Sequence, residues 1–358
     1  MLPDDPKQLL KLYGPTLDRI LPTACQLEIV RFSPCGTVLA AAGMSGEVFR
    51  WDFTGPVPKP LESLKGHRGW VTAMAWHPKT RELYTGDSWG RLTAWPAPGG
   101  EPRPKWTFDA AHDGWIRQIA VSGDGTRILT CGRDTKARIA DAANGTAIRT
   151  ITTGDDVFSV AWSPDDKEIL TGELSGWIKI RDAETEKSSG DFDARAMYLL
   201  DRIQDVGGVR CLLFDLTGKS LYASGIAPKT GGFVTGTNVI VHFDWKPRKL
   251  VKTTRSASEN DGFVHRIAWH PAGFLIGAAS GQPGQGKLFF QRTQDDAPFY
   301  TRPETANCHS FDLHPDGRTL VVSGTSSNSS GNGRPMTKDM NYPTNTSPLH
   351  ILKLPGKV

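Results

Sequence analysis

The chain has 358 residues, of which 22% are charged and 38% are hydrophobic, and its formal net charge is +4. This mild charge excludes the concentrated basic composition of most nucleic-acid binders, and no apolar run approaches the roughly 18 residues that span a membrane. The five cysteines are odd in number and form no CxxC pair, which argues against a structural zinc site and favours a reducing compartment, taken here to be the cytoplasm.

The N-terminal segment, residues 1–16, is interpreted as an extension that forms a short helix over residues 6–13. It lacks a basic region followed by an apolar core, so we expect no signal peptide. The remainder, residues 17–358, is interpreted as a single domain. The initial Met and the complete series of repeats in this domain favour a stand-alone protein.

One short phrase, an apolar–polar alternation that ends in a tight turn, recurs seven times. Its copies end in FSPCG at 32–36, WHPKT at 76–80, VSGDG at 121–125, WSPDD at 162–166, FDLTG at 214–218, WHPAG at 269–273 and LHPDG at 313–317. Successive copies begin 44, 45, 41, 52, 55 and 44 residues apart. A period of roughly 40–45 residues with four short strands per unit is typical of a propeller blade. The repeat therefore predicts an all-β fold, a seven-bladed β-propeller.

Several repeats also carry paired residues that resemble the WD40-repeat family. Gly66-His67 precedes the first strand of the second unit, Trp51-Asp52 ends the first unit, and His112 stands before the third. Later units keep Asp141, Asp182 and Asp244 but replace the preceding Trp. The resemblance implies a chain of buried hydrogen bonds through His, Ser or Thr, Trp and Asp. Because Trp89 stands where the second unit would carry the Asp and Ala140 replaces the third unit's Trp, we expect this chain to be complete nowhere.

The ends of the chain are predicted to close the ring together. The last unit reaches only a third strand, at about residues 348–354, whereas residues 17–21 form a spare strand one repeat before the outer strand at 61–65. Pairing of the spare strand with residues 348–354 would complete the seventh blade and remove an open sheet edge.

Candidate binding residues lie where the first strands begin, because the resemblance implies that these starts open on the same face as the loops between second and third strands. Aromatic and arginine side chains at such mouths favour a protein interface, although the aromatics could instead cap the blade packing. The residues are Trp70, Trp115, Arg117, Phe158, Arg210, Phe263, His265 and His309.

The loops between second and third strands are predicted to be long in units five to seven, at residues 225–237, 280–286 and 325–347. We expect these loops to form a wall on one side of the axial opening. Its chemical content would come from Arg334, Lys338, Asp339 and Tyr342, with disorder of residues 326–346 as the alternative.

No catalytic motif competes with a binding role: the sequence holds no phosphate loop, HExxH, CxxCH or GxSxG. The leading interpretation is a non-enzymatic scaffold that binds a protein or peptide on the face with the long loops, without cofactor, metal or membrane. A second hypothesis is an enzyme or small-molecule binder in which His265, His309, Arg210 and Arg117 converge in the axial pocket. A third is a nucleic-acid contact through a mildly basic face.

Overall fold

Seven four-stranded antiparallel sheets surround a central axis in the computed structural model, which describes residues 2–230, 235–282, 284–303, 305–325 and 346–355. The predicted all-β, seven-bladed propeller is confirmed. Each sheet is covered by its neighbours on both faces, so second strands such as Val38–Gly43 are buried throughout instead of alternating.

The elements follow the chain in the order expected for blades that are wound one after another. The N-terminal segment contains α1 (Pro6–Tyr13) and β1 (Thr16–Leu21). Blade 1 consists of β2 (Leu27–Phe32), β3 (Val38–Gly43), β4 (Val48–Asp52) and β5 (Lys59–Leu64), and blade 2 of β6 (Val71–Trp76), β7 (Leu83–Asp87), β8 (Leu92–Trp95) and β9 (Trp106–Phe108). Blade 3 consists of β10 (Ile116–Val121), β11 (Arg127–Gly132), β12 (Lys136–Asp141) and β13 (Ala147–Thr152), and blade 4 of β14 (Val157–Trp162), β15 (Glu168–Glu173), β16 (Trp177–Asp182) and β17 (Ser188–Asp193).

A 3-10 turn (Arg195–Met197) and a hairpin of β18 (Tyr198–Asp201) and β19 (Gln204–Gly207) separate blade 4 from blade 5. Blade 5 consists of β20 (Cys211–Phe214), β21 (Ser220–Pro228), β22 (Gly236–Asp244) and β23 (Lys249–Arg255), and blade 6 of β24 (Phe263–Trp269), β25 (Leu275–Ser280), β26 (Lys287–Gln291) and β27 (Tyr300–Arg302). Blade 7 consists of β28 (Ser310–Leu313), β29 (Thr319–Ser323) and β30 (Leu349–Lys353), with β1 as its fourth strand.

The recurring turn after each first strand joins neighbouring blades where it begins with His-Pro. His314 accepts a hydrogen bond from the Asp316 N–H at Nδ1, so its Nε2–H donates to the carbonyl oxygen of Gly36, at 3.0 Å, across the seam from blade 7 to blade 1. His270 links blades 6 and 7 in the same way through Gly317, at 2.8 Å. Gly36 has a φ of +75°, and a Cβ there would lie 2.2 Å from His314 Nε2, so only glycine fits the seam.

The N-terminal strand closes the ring as predicted. β1 pairs antiparallel with β30, with Leu17 opposite Leu352 and Leu21 opposite Leu349. The preceding helix α1 is anchored on blade 6: its Leu9 is fully buried, and the Tyr13 ring meets His270 and Phe274 edge-on. The first and last parts of the ring are therefore held by one shared sheet and by helix packing beside it.

Blade 2 contains the complete polar chain that the sequence was expected to lack, so that expectation is wrong. The Trp95 Nε1–H donates to the Thr85 hydroxyl at 2.7 Å, and this hydroxyl donates to His67 Nε2 at 2.6 Å. The His67 Nδ1–H donates to Asp87 at 3.0 Å. The acid is Asp87, at the end of β7, and not the residue at position 89.

Blade 3 holds the incomplete chain that was predicted from Ala140. His112 donates from Nδ1 to Asp134 at 2.8 Å and accepts at Nε2 from Thr130, also at 2.8 Å. Arg138 takes up the second carboxylate oxygen of Asp134, at 2.7 Å. Burial opposes the charge, but the bonds from His112 and Arg138 outweigh it and lower the Asp134 pKa well below its ordinary value. The pair is part of the blade's internal support.

Two spacings between repeats exceed the others, and the fold explains both. The gap of 52 residues before blade 5 contains the β18–β19 hairpin, which the sequence did not reveal. The gap of 55 residues after it contains the nine-residue strands β21 and β22. Residues 225–228 and 236–237, predicted to be loop, therefore continue the sheet above the rest of the blade.

Glu173 ends the second strand of blade 4 at the position that Asp87 occupies in blade 2, but it is buried without a histidine partner. Burial, and secondarily Asp155, raise its pKa from 4.5 to about 7. The folded state therefore binds this proton more tightly than the unfolded state, so its cost to stability appears as the pH rises from 4.5 and is complete above about 7.

The variant Glu173→Gln is accordingly expected to be more stable than the wild type at pH 8, by up to about 3 kcal/mol, and equally stable near pH 4.5. Thermal melts across pH 4.5–8 measure the difference, and the exposed Glu101→Gln should show none. A gain that is the same at every pH would contradict the burial of a protonated carboxyl group at this site.

Candidate functional site

One residue from each blade, at or immediately before the start of its first strand, lines a cavity on the propeller axis, and these seven residues are named the axial ring. The cavity has a volume of about 480 Å³. The ring consists of Glu28, Thr72, Arg117, Phe158, Arg210, His265 and His309. In β2, β6, β10, β14 and β24 the pairing register shifts at the ring residue. Such an irregularity leaves the residue outside the ladder and turns its side chain, here toward the axis.

Guanidinium and phenyl groups from blades 3 to 6 stack on one another beside the axial ring. The guanidinium carbon of Arg117 lies 3.8 Å from the centre of the Phe158 ring, and that of Arg210 lies 3.6 Å from the same ring. Two guanidinium groups that close to one centre require opposite faces of the ring. Arg210 also lies 4.4 Å from the Phe263 ring, so it is held between two phenyl groups. Stacking fixes the arginines in place while leaving their edges able to bind.

The two ring arginines keep unused hydrogen-bond donors. Arg117 Nη2 donates to Asp156 at 3.0 Å, and Arg210 Nη2 donates to the carbonyl oxygen of Gly207 at 2.8 Å. Arg117 Nη1 and Arg210 Nε are buried and have no partner among the described residues. Burial, and secondarily Arg117, lower the pKa of Arg210 to about 9, so its guanidinium is still charged at neutral pH.

Two further arginines, Arg31 and Arg266, also line the axial cavity, and the sequence did not indicate either of them. Arg266 Nη2 donates to Asp312 at 2.7 Å, and Arg31 Nη1 donates to the Ser310 hydroxyl at 3.0 Å. Burial and then Arg266 lower the pKa of Arg31 to about 9. Arg266 Nε is buried without a partner in the described part of the chain. An arginine within a mostly apolar first strand was the available signal, visible in LEIVRF and FVHRIAW.

The histidines of blades 6 and 7 lie face to face, with ring centres 4.8 Å apart and an interplanar angle of 15°. His265 Nε2 contacts the Ser280 hydroxyl at 2.7 Å, and burial, followed by His309 and Arg210, lowers the His265 pKa well below 6.5. His265 is therefore neutral at physiological pH. Over the described ranges no three His, Cys, Asp or Glu residues form a group that could hold a metal ion.

Three tryptophans form an exposed aromatic surface beside the cavity, named the tryptophan patch: Trp70, Trp89 and Trp115. Their exposed fractions are 40%, 71% and 38%. Trp70 and Trp115 meet edge to face with ring centres 5.6 Å apart. The sequence indicated these two, whereas Trp89 was taken only as a substitute within the buried polar chain.

The tryptophan patch identifies one face of the propeller. The patch lines a depression of about 400 Å³ together with Met44 and Ser45, which join β3 to β4, and with Arg68. Loops before first strands and loops between second and third strands therefore open on the same side, named the upper face. Because Trp115 also lines the axial cavity, the depression and the cavity adjoin each other at this side chain.

The β18–β19 hairpin has an exposed apolar tip, and its base lies next to the axial ring. Ile203 is 98% exposed and has a φ of +69°, and the preceding Arg202 has a φ of +50°. This conformation is costly for a β-branched residue. Gly207, at the base of the hairpin, supplies the carbonyl oxygen that binds Arg210. The hairpin thus borders the mouth of the cavity on the blade 5 side.

The predicted site residues divide into three groups in the structure. Arg117, Phe158, Arg210, His265 and His309 meet in the axial cavity, with Phe263 stacked on Arg210, while Trp70 and Trp115 form the adjoining patch. Arg334, Lys338, Asp339 and Tyr342, the predicted content of the loop wall, lie outside the described residues. The four residues of the small-molecule hypothesis, Arg117, Arg210, His265 and His309, all line this one cavity.

Comparison with known proteins identifies a repeat family. The family model described as "WD domain, G-beta repeat" matches residues 58–95, 102–141 and 145–182. Each matched segment begins with or before the outer strand of one blade and ends with the third strand of the next, the same offset that lets β1 complete blade 7.

Curated relatives match part of the chain. A protein named pre-mRNA-splicing factor cwf17, from Schizosaccharomyces pombe, is 26% identical over 181 residues, covering 50% of this chain and 50% of the relative, so the chain spans about half of that protein. Eukaryotic translation initiation factor 3 subunit I is 28% identical in Drosophila simulans and 29% in Drosophila virilis, in both cases over 229 residues and 60% of this chain. These alignments cover 68% and 69% of the two relatives. Among the described residues, no helix has the length and apolar character needed to cross a membrane.

Proposed function

We propose that this chain, a seven-bladed β-propeller in which three repeats match the WD40-repeat family, is a non-catalytic scaffold that binds a protein or peptide on its upper face. The tryptophan patch carries this proposal. Tryptophan is the residue type most enriched among those that dominate binding energy, and three of them stand exposed around one depression. Exposed apolar groups of this size are rare on a surface that meets only water.

The relatives support a role in assemblies. One is named a splicing factor and the others are named a subunit of a translation initiation factor, which are names of components that act with other proteins. We extend only this general role to the present chain. The unpaired thiols of all five cysteines, every one of them in the described residues, support placing the protein in a reducing compartment, and we propose the cytoplasm.

The other two hypotheses receive less support. A catalytic serine–histidine pair needs a nucleophile that substrate can reach. The Ser280 hydroxyl bonded to His265 is buried and does not line the cavity. A nucleic-acid contact needs free cations clustered on one face. In the basic stretch at 246–249, Arg248 stacks on Trp245 at 3.6 Å and pairs with Glu168 at 2.9 Å, so it is occupied within the blades.

Differential capture from native extract tests the proposed face. The baits are the wild type, the triple variant Trp70→Ala/Trp115→Ala/Arg210→Ala, and a control, Phe108→Ala/Leu250→Ala, which removes exposed apolar groups from outer strands. We expect specific partners to be depleted roughly tenfold or more with the triple variant and retained with the control. Equal recovery of every protein by wild type and triple variant would refute the upper face as the binding surface.

A further inference from the structure

We propose that the axial cavity binds one carboxylate group of the partner, from an acidic side chain or a chain terminus, while the tryptophan patch holds the neighbouring apolar residues. This inference rests on the proposed function and specifies the chemistry of the partner. It derives from three properties of the cavity: unused donors, an unbalanced charge, and its position next to the tryptophan patch.

Three arginines offer donors that no described residue uses: Arg117 Nη1, Arg210 Nε and Arg266 Nε. All three side chains line the same cavity. A buried donor without an acceptor costs free energy, and a guanidinium donor costs more than a neutral one. These nitrogen atoms have no exposed surface in the unliganded cavity, so the guanidinium groups must turn before the oxygen acceptors of a ligand can reach them and remove this cost. Stacking and ion pairing already restrict the three side chains, so few further degrees of freedom are lost when they bind.

The charge balance of the cavity selects a single negative charge. Four arginines, Arg31, Arg117, Arg210 and Arg266, face three carboxylates, namely Glu28 in the ring, Asp156 on Arg117 and Asp312 on Arg266. His265 is neutral because its pKa is depressed. This count leaves one positive charge in excess. Two of the arginines make no ion pair with a carboxylate among the described residues: Arg210 contacts a carbonyl oxygen and two phenyl rings, and Arg31 contacts the Ser310 hydroxyl.

One monoanionic carboxylate neutralises this excess, whereas a phosphate dianion would leave a surplus negative charge beside Glu28, Asp156 and Asp312. Removing a charge from water is favourable only when its partner is paired in the same place. The cavity therefore suits an aspartate, a glutamate or a C-terminal carboxylate better than a phosphorylated residue.

The route into the cavity indicates that the carboxylate belongs to a peptide. Trp115 lines both the cavity and the depression of the tryptophan patch, so a continuous ligand can occupy both. A volume of about 480 Å³ is far larger than one carboxylate needs and suits a side chain with its flanking backbone. The expected motif is an acidic residue within a few positions of a large apolar residue.

Selection of random twelve-residue peptides displayed on phage, with the full chain as bait, tests the inference. Binders that require Trp70 are synthesised with the acidic residue intact or changed to its amide, and their dissociation constants are measured. We expect the amide peptide to bind the wild type roughly 10–100-fold more weakly, and both peptides to bind Arg210→Met with similar, weak affinity.

The control variant Arg248→Met removes another arginine that is stacked on an aromatic ring, at 3.6 Å from Trp245, but remote from the cavity, and should bind like the wild type. Arg210→Met is long enough to remain between the two phenyl rings, and a melt verifies its fold. Propionate is expected to compete with the acidic peptide better than inorganic phosphate at equal ionic strength; the reverse order would overturn the carboxylate assignment.

Two other outcomes separate this inference from the proposed function. Trp70-dependent peptides that bind regardless of the acid, or regardless of Arg210, would overturn the carboxylate site and leave the upper-face scaffold standing. Failure to select any peptide that depends on Trp70 would overturn the upper-face proposal and this inference together.

Discussion

Deletion of residues 1–22 is expected to lower the melting temperature by about 10 °C or more. The deletion removes β1, which leaves one edge of β30 without its partner along the whole of that strand. It also removes the buried Leu9 and the Tyr13 ring, which packs on His270 in the turn of blade 6. Differential scanning calorimetry of the purified chain measures the change.

A graded truncation separates the strand from the helix. Deletion of residues 1–14 removes α1 but keeps β1 paired with β30, so its melting temperature should fall by only a few degrees. If the two truncated chains melt together, ring closure by β1 contributes little and the seam rests on other contacts, such as the bond from His314 to Gly36.

Replacement of Asp87 by alanine is expected to lower the free energy of unfolding by about 3–5 kcal/mol. The Asp87 side chain is fully buried, and it accepts hydrogen bonds from His67 and from the backbone N–H groups of Trp89 and Arg91. Its loss leaves these donors without an acceptor and releases the bonds to Thr85 and Trp95 behind them. Guanidinium unfolding at pH 7 measures the change.

The Asp87 contribution also depends on pH. Burial opposes the charge, but the bonds from His67 and the backbone outweigh it and lower the Asp87 pKa below 3.8. Its stabilisation is therefore complete at neutral pH and is lost as the pH falls through the folded-state pKa. The exposed Asp113→Ala serves as the control. An Asp87→Ala variant as stable as Asp113→Ala at pH 7 would show that the polar chain of blade 2 does not support the blade.

The architecture could be predicted from the sequence because its information is local and repeated. The turn phrase occurs once per blade, and the spare strand at 17–21 can be recognised by counting one period back. The pairing of β1 with β30 then follows from the need to cover an edge. The buried hydrogen-bond chain of blade 2 was misjudged because its acid, Asp87, is the last residue of β7. The sequence interpretation had looked for an acid two positions later, at Trp89.

The candidate site was predictable only where it follows the repeat. Arg117, Arg210, His265 and His309 occupy equivalent places at the starts of first strands, and they do meet on the axis. Which of their atoms remain unpaired depends on contacts between neighbouring blades, such as that of Arg117 with Asp156, which the sequence does not specify. The β18–β19 hairpin was missed for a similar reason, since a length excess reveals an insertion but not its conformation.

A crystal structure of the full chain with an acidic peptide selected on it tests the central claim most directly. We predict that the peptide lies across Trp70 and Trp115 on the upper face, with a carboxylate oxygen roughly 3 Å from Arg210 Nε. A peptide bound along an outer strand or on the opposite face of the propeller would contradict the account.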